Sequence, residues 1–131
     1  MDASCLRFTP FASTVGSVLF LCLSVGAATM QGVADIQMHT FRKRPRGPFI
    51  RRGLWKYSRH PNYLGEILMW WGVALAVICA APEKWYLGAG ALANTVMFLT
   101  ISIPMADRRQ SRKPGFAAYK KQTRILLPIK K

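Results

Sequence analysis

The sequence predicts an all-α fold: a polytopic membrane helical bundle of three transmembrane helices, with a cytosolic loop and an amphipathic C-terminal tail. Three observations predict it. The chain has three apolar stretches, each near the roughly 20 residues that a bilayer core requires. Lys and Arg are nearly absent from these stretches and dense between and after them, as in membrane spans with charged flanks. The sides alternate consistently when the cationic segments are placed together.

The first span runs from about residue 11 to 34, the second from 63 to 81 and the third from 85 to 105. A cleaved signal peptide is the rival reading of the first segment, because Val15 to Ala27 resembles an apolar core ending in small residues. A retained helix fits better: Asp2 opposes Arg7, and apolar character continues to Ala34. Of the 19 Lys and Arg, eight lie between Arg42 and Arg59 and nine from Arg108 onward, leaving Arg7 and Lys84. The positive-inside rule then places the loop 42–59 and the C-terminus in the cytosol, with the Pro82–Lys84 turn opposite. The membrane is the endoplasmic reticulum in a eukaryote or the inner membrane in a bacterium.

A net charge of +14 in 131 residues would suggest nucleic acid in a soluble protein, but its distribution around the spans argues for no nucleic-acid partner. Cys5, Cys22 and Cys79 have no metal-ligand spacing and imply neither a disulfide framework nor a metal site. Arg44-Pro45-Arg46-Gly47-Pro48 marks a loop between helices, so residues 1–131 form a single membrane domain.

The chemistry-bearing stretch is Gly53-Leu54-Trp55-Lys56-Tyr57-Ser58-Arg59-His60-Pro61-Asn62-Tyr63-Leu64-Gly65-Glu66. Pro61 suits a first helical turn, whose free N–H groups make an anion site that Arg59 and His60 reinforce. Asn62, Tyr63 and Glu66 are spaced to share one helical face. Glu66 lies about a turn inside the apolar span, where an ionisable group faces a polar cavity or a partner. The plainer reading pairs it with Arg59. A second polar stripe, Asp35, His39 and Arg42, ends the first span. Its carboxylate could accept hydrogen bonds from a ribose or an amide, and Arg42 with Lys43 could hold phosphates; a solvated helix end with an internal salt bridge is the alternative. Tail cations are expected mostly on anionic lipid, with Arg108, Arg109 and Tyr119 as candidate contacts. Gly88-Ala89-Gly90-Ala91-Leu92-Ala93 imitates a dinucleotide fingerprint but lies within a span without a preceding strand. Trp55, Tyr57, Trp85 and Tyr86 are expected as interfacial anchors, and Trp70 and Trp71 as packing groups.

The run GLWKYSRHPNYLGE, with ADIQMHTFRK before it and Tyr119, Thr123 and Pro128 after it, resembles the C-terminal domain of steroid 5-alpha-reductase-like enzymes, the DUF1295-type membrane oxidoreductases. The likeness covers about Gly26 to Pro128. It implies a helical enzyme that binds NADPH and delivers hydride to an activated carbon–carbon double bond of a steroid or other lipid. The cofactor contacts it implies are Asp35, Arg42, Asn62 and Glu66, with Arg59, His60 and Tyr63 near the phosphates and nicotinamide; it assigns no catalytic residue. Gln31 and Asp107 replace acids frequent in the family, the latter a Glu. The RHPNY core is shared with isoprenylcysteine and phospholipid methyltransferases, which makes S-adenosylmethionine the alternative cofactor. The family's further N-terminal helices imply a lipid pocket completed by a homo-oligomer or another chain. A cofactor-binding remnant or a noncatalytic membrane subunit is the remaining reading.

Overall fold

In the computed structural model, which describes residues 10–129, the chain forms five helices and no strand among those residues. Asp2, Cys5, Arg7, Lys130 and Lys131 lie outside the described residues. Helix α1, Pro10–Lys43, has 34 residues and is therefore about 51 Å long, well beyond a bilayer core of about 30 Å. Its apolar part was expected to end at residue 34. The helix continues because Asp35, His39 and Arg42 keep helical spacing, and its last turns carry that stripe out of the span.

Helix α2, Pro61–Ala80, returns beside α1. Pro61 occupies the first helical position, where its fixed φ and missing N–H cost nothing. After a single tight turn at Pro82–Lys84, the third span runs through α3, Leu87–Met97, and α4, Ile103–Gln110. A π turn, Phe98–Ser102, joins these two helices. Pro104 explains its position: proline cannot donate to the carbonyl four residues back, so the ladder rearranges immediately upstream. All three segments are long and apolar enough to cross a membrane. Much of their apolar surface is open, as at Leu19, Val25, Leu92 and Ile101, which suits lipid contact.

Small residues set the α1–α2 contact. Ser13, Ser17, Phe20, Ser24, Ala27, Gln31 and Ala34 recur at alternating intervals of four and three, and Gly65, Met69, Gly72, Ala76 and Cys79 do so on α2. This is the 3.5-residue period of a helix seam. Ser17 donates a hydroxyl hydrogen bond to the Ala76 carbonyl at 2.8 Å and Ser24 to that of Met69 at 2.7 Å. Such bonds require close backbones. A β-carbon on Gly65 would come within 2.7 Å of the Ala27 carbonyl oxygen. The third span is tied more lightly, with Trp71 donating its indole N–H to Thr95 at 2.7 Å.

The basic end is held by a short helical turn at Gly53–Lys56 and by α5, Phe116–Gln122. The tail folds back: Arg59 donates its backbone N–H to Arg124, and Arg124 to Tyr57, forming an isolated parallel bridge. Phe49, Phe116 and Tyr119 form one apolar cluster here, and Ala34, Ile50 and Trp55 another. One expectation is corrected: Trp55 is no interfacial anchor; it is buried, and its indole N–H meets the Ala34 carbonyl at 3.1 Å. The alternative reading of Glu66 as the partner of Arg59 is also not met, because Arg59 pairs with Asp107. Trp85 and Tyr86 are exposed near the opposite turn, as anchors would be.

Candidate functional site

Where α1 leaves its span, it meets the start of α2, the end of α4 and the docked tail around a cavity of about 530 Å³. Met38, Phe49, Ile50 and Trp55 supply its apolar wall. Six of the seven candidate residues line it: Asp35 and Arg42 from α1, Arg59 and His60 from the loop, and Asn62 and Tyr63 from α2. Glu66 does not. It sits half-buried one turn further along α2, without an ion-pair partner among the described residues.

Arg59 and His60 are largely occupied within the protein. The Arg59 guanidinium donates to the carbonyls of Lys120 at 2.9 Å and Thr123 at 3.2 Å, and its Nε lies 3.5 Å from Asp107 Oδ1. His60 Nε2 lies 2.9 Å from the same oxygen, the geometry of an imidazole N–H donating to a carboxylate. The His60 ring stacks on Tyr63 at 5.1 Å, and Tyr63 packs on Phe98 at 5.0 Å. Asp107 thus gathers both motif side chains against the third span. These two residues shape the wall, whereas Arg42, Arg109 and Lys113 line the cavity with no carboxylate partner among the described residues.

Three polar atoms of lining residues are buried without a hydrogen-bond partner: Asn62 Oδ1, Gln110 Oε1 and Arg59 Nε, the last close to Asp107. An unpaired buried polar group costs about 1–3 kcal/mol. Two acceptor oxygens without donors beside one cavity are therefore what a site for a polar ligand leaves when the protein alone is considered. The start of α2 is also uncapped by any side chain, leaving N–H groups at Asn62 and Tyr63 that favour an anion. Fit to a nucleotide cofactor is good in kind: cations for phosphate, Asp35 for hydroxyl or amide hydrogens, and an apolar slab for a flat ring.

Sequence reasoning named Arg109 and Tyr119 as contacts but missed Gln110 and Lys113. Gln110 follows Ala106 by four residues, and this spacing puts both on one face of α4; that was the available signal. Tyr119 is buried, and its hydroxyl donates to the carbonyls of Trp55 and Ser58. Burial raises the phenol's pKa well above its ordinary value, so it remains a donor throughout the working pH range. Tyr119→Phe is expected to cost about 1–3 kcal/mol by stranding those carbonyls. Chemical denaturation in detergent checks this, and a midpoint equal to wild type would show that the tail is not held there.

Three helices long and apolar enough to cross a bilayer, with a cavity of about 530 Å³ at their basic end, define a multi-pass membrane protein. The model of the family described as Protein of unknown function (DUF1295) matches residues 7–123, and the chain belongs to that family. No curated protein and no solved structure matches the chain.

Proposed function

We propose that the chain is a membrane oxidoreductase, or the cofactor-binding half of one, using NADPH to reduce an activated carbon–carbon double bond of a steroid or other lipid. The observation that carries this reading is the convergence of unpaired Asn62 and Gln110 oxygens with Arg42, Arg109 and Lys113 on one cavity. Pyrophosphate and 2'-phosphate call for several cations at once, with Arg favoured for its forked geometry. The same cations disfavour S-adenosylmethionine, whose sulfonium would add positive charge. When bound, NADPH would supply the hydride for the β-carbon of an enone, with a proton taken up at the α-carbon to balance the reduction.

The chain's own groups then bind and orient. Arg42, Arg109 and Lys113 balance phosphate charge, Asp35 accepts from ribose hydroxyls, and the Asn62 and Gln110 oxygens accept from a carboxamide N–H. Met38, Ile50 and Trp55 keep water from the ring. On this reading the basic end faces the cytosol, and the lipid arrives through the bilayer, in a pocket completed by a second copy or another chain.

Binding to the detergent-purified chain tests the proposal. NADPH should raise its melting temperature, since a ligand for the folded state stabilises it, while S-adenosylmethionine should not. Asn62→Ala and Gln110→Ala should each weaken NADPH by about tenfold, the loss of roughly one buried hydrogen bond. Glu66→Ala measures how far the site extends along α2. Equal NADPH affinity in the Asn62 and Gln110 variants would remove the site assignment, and stabilisation by S-adenosylmethionine alone would make the protein a methyltransferase.

A further inference from the structure

On the other side of the α1 end, a second cavity of about 680 Å³ is lined by Arg44, Arg46, Arg51 and Arg52, and no carboxylate lines it. Four guanidinium-bearing residues around one hollow repel one another, so the arrangement calls for an anion. All four are arginines, the side chain whose planar fork matches phosphate bidentately. The loop carrying them is built to hold this shape. Gly47 and Gly53 take left-handed φ values of 109° and 62°, which bend the chain where a β-carbon would be strained. Gln37 accepts the backbone N–H of Leu54 at 3.1 Å, fixing the loop to α1. Arg51 is further braced over the Phe49 ring at 4.5 Å. Phe41 and Ile50 line both cavities and form the partition between them.

The remaining lining includes Ile36, which is 67% exposed on α1 just past the apolar run. The hollow therefore joins a lipid-facing helix surface to a cluster of arginines. We infer that this cavity binds the phosphoryl headgroup of an acidic phospholipid, with the acyl chains directed along the exposed face of α1. A free phosphate shares the charge chemistry but has no use for Ile36, and juxtamembrane cations gain from the anionic leaflet in addition.

Native mass spectrometry of the full chain, released from nanodiscs of mixed phosphatidylcholine and phosphatidylglycerol, tests this without any cofactor. Phosphatidylglycerol should be retained preferentially, and Arg44→Gln with Arg46→Gln should weaken retention by about tenfold or more, since charge-assisted bonds are the strong ones. The unliganded melting temperature reports whether that variant is folded. On the wild-type chain, inorganic phosphate and 2',5'-ADP are added as competitors, and neither should displace the lipid at low millimolar concentration. Equal retention of the two lipids, undiminished retention in a folded double variant, or displacement by inorganic phosphate would overturn the inference. Displacement by 2',5'-ADP would also overturn it, by making the hollow part of the cofactor site.

Discussion

Asp107→Asn is expected to destabilise the protein by about 3–5 kcal/mol, the usual penalty for removing one partner of a buried ion pair. Arg59 is only 7% exposed, and Asp107 is its one nearby carboxylate among the described residues. The amide keeps the size of the acid and can still meet His60, yet it leaves a buried guanidinium without its counter-charge. The damage should spread, because Arg59 also holds the Lys120 and Thr123 carbonyls and thereby the tail. Thermal unfolding in detergent and limited proteolysis of the tail measure both effects. A melting temperature within a degree of wild type, with the tail still protected, would mean that Asp107 does not organise this end. Asp107→Glu should recover part of the loss.

Gly65→Val and Gly72→Val form the second prediction: each should prevent stable α1–α2 packing. A β-carbon on Gly72 would lie 2.7 Å from the Phe20 carbonyl oxygen, and one on Gly65 would lie 2.7 Å from that of Ala27. These obstacles are backbone atoms that cannot rotate away, so the helices must separate. Overpacking typically costs about 1–3 kcal/mol, and backbone clashes fall at or above that upper end. Separation also breaks the Ser17 and Ser24 bonds to α2. Gly90→Ala is the matched control: nothing lies within 4 Å of its added methyl, and alanine favours a helix over glycine by about 1 kcal/mol. Monodispersity after extraction and melting temperature separate the cases. Equal behaviour of Gly72→Val and Gly90→Ala would refute the close seam.

The spans were legible because bilayer thickness imposes a length and charge is excluded from the core. Their cores fall where the apolar runs lie, while the ends extend further, α1 by a polar stripe and the third span to Gln110. The cavity-lining set was legible to the extent that it is local. Asp35 and Arg42 are two turns apart on one helix, and Asn62 and Tyr63 begin another, so spacing alone exposes their shared faces. What could not be read depends on partners distant in the chain. The plainer reading of Glu66 paired it with Arg59; the fold instead brings Asp107 to Arg59 from the third span. Trp55 looked like an interfacial aromatic because nothing in its neighbourhood reveals that the Ala34 carbonyl awaits its N–H. The docking of the tail was equally hidden: the Tyr119 hydroxyl and the Arg124 backbone reach the motif loop, and Thr123 braces α5 itself.

The π turn at Phe98–Ser102 has a geometric consequence for the third span. A π turn spends about one more residue on a full rotation than an α turn does, so every later residue lies about 100° behind its position in an unbroken α-helix. The span is thereby divided into two phases: upstream residues set which side meets α2 and lipid, and downstream residues set what Ala106, Asp107 and Gln110 face. The two requirements become independent, so the lipid-facing stripe can drift in sequence without turning the carboxylate away from Arg59 and His60. A single deletion within that turn would restore a regular α turn and leave both ends in place, whereas a deletion elsewhere in the span would rotate the polar end by about 100° and out of alignment with the cavity.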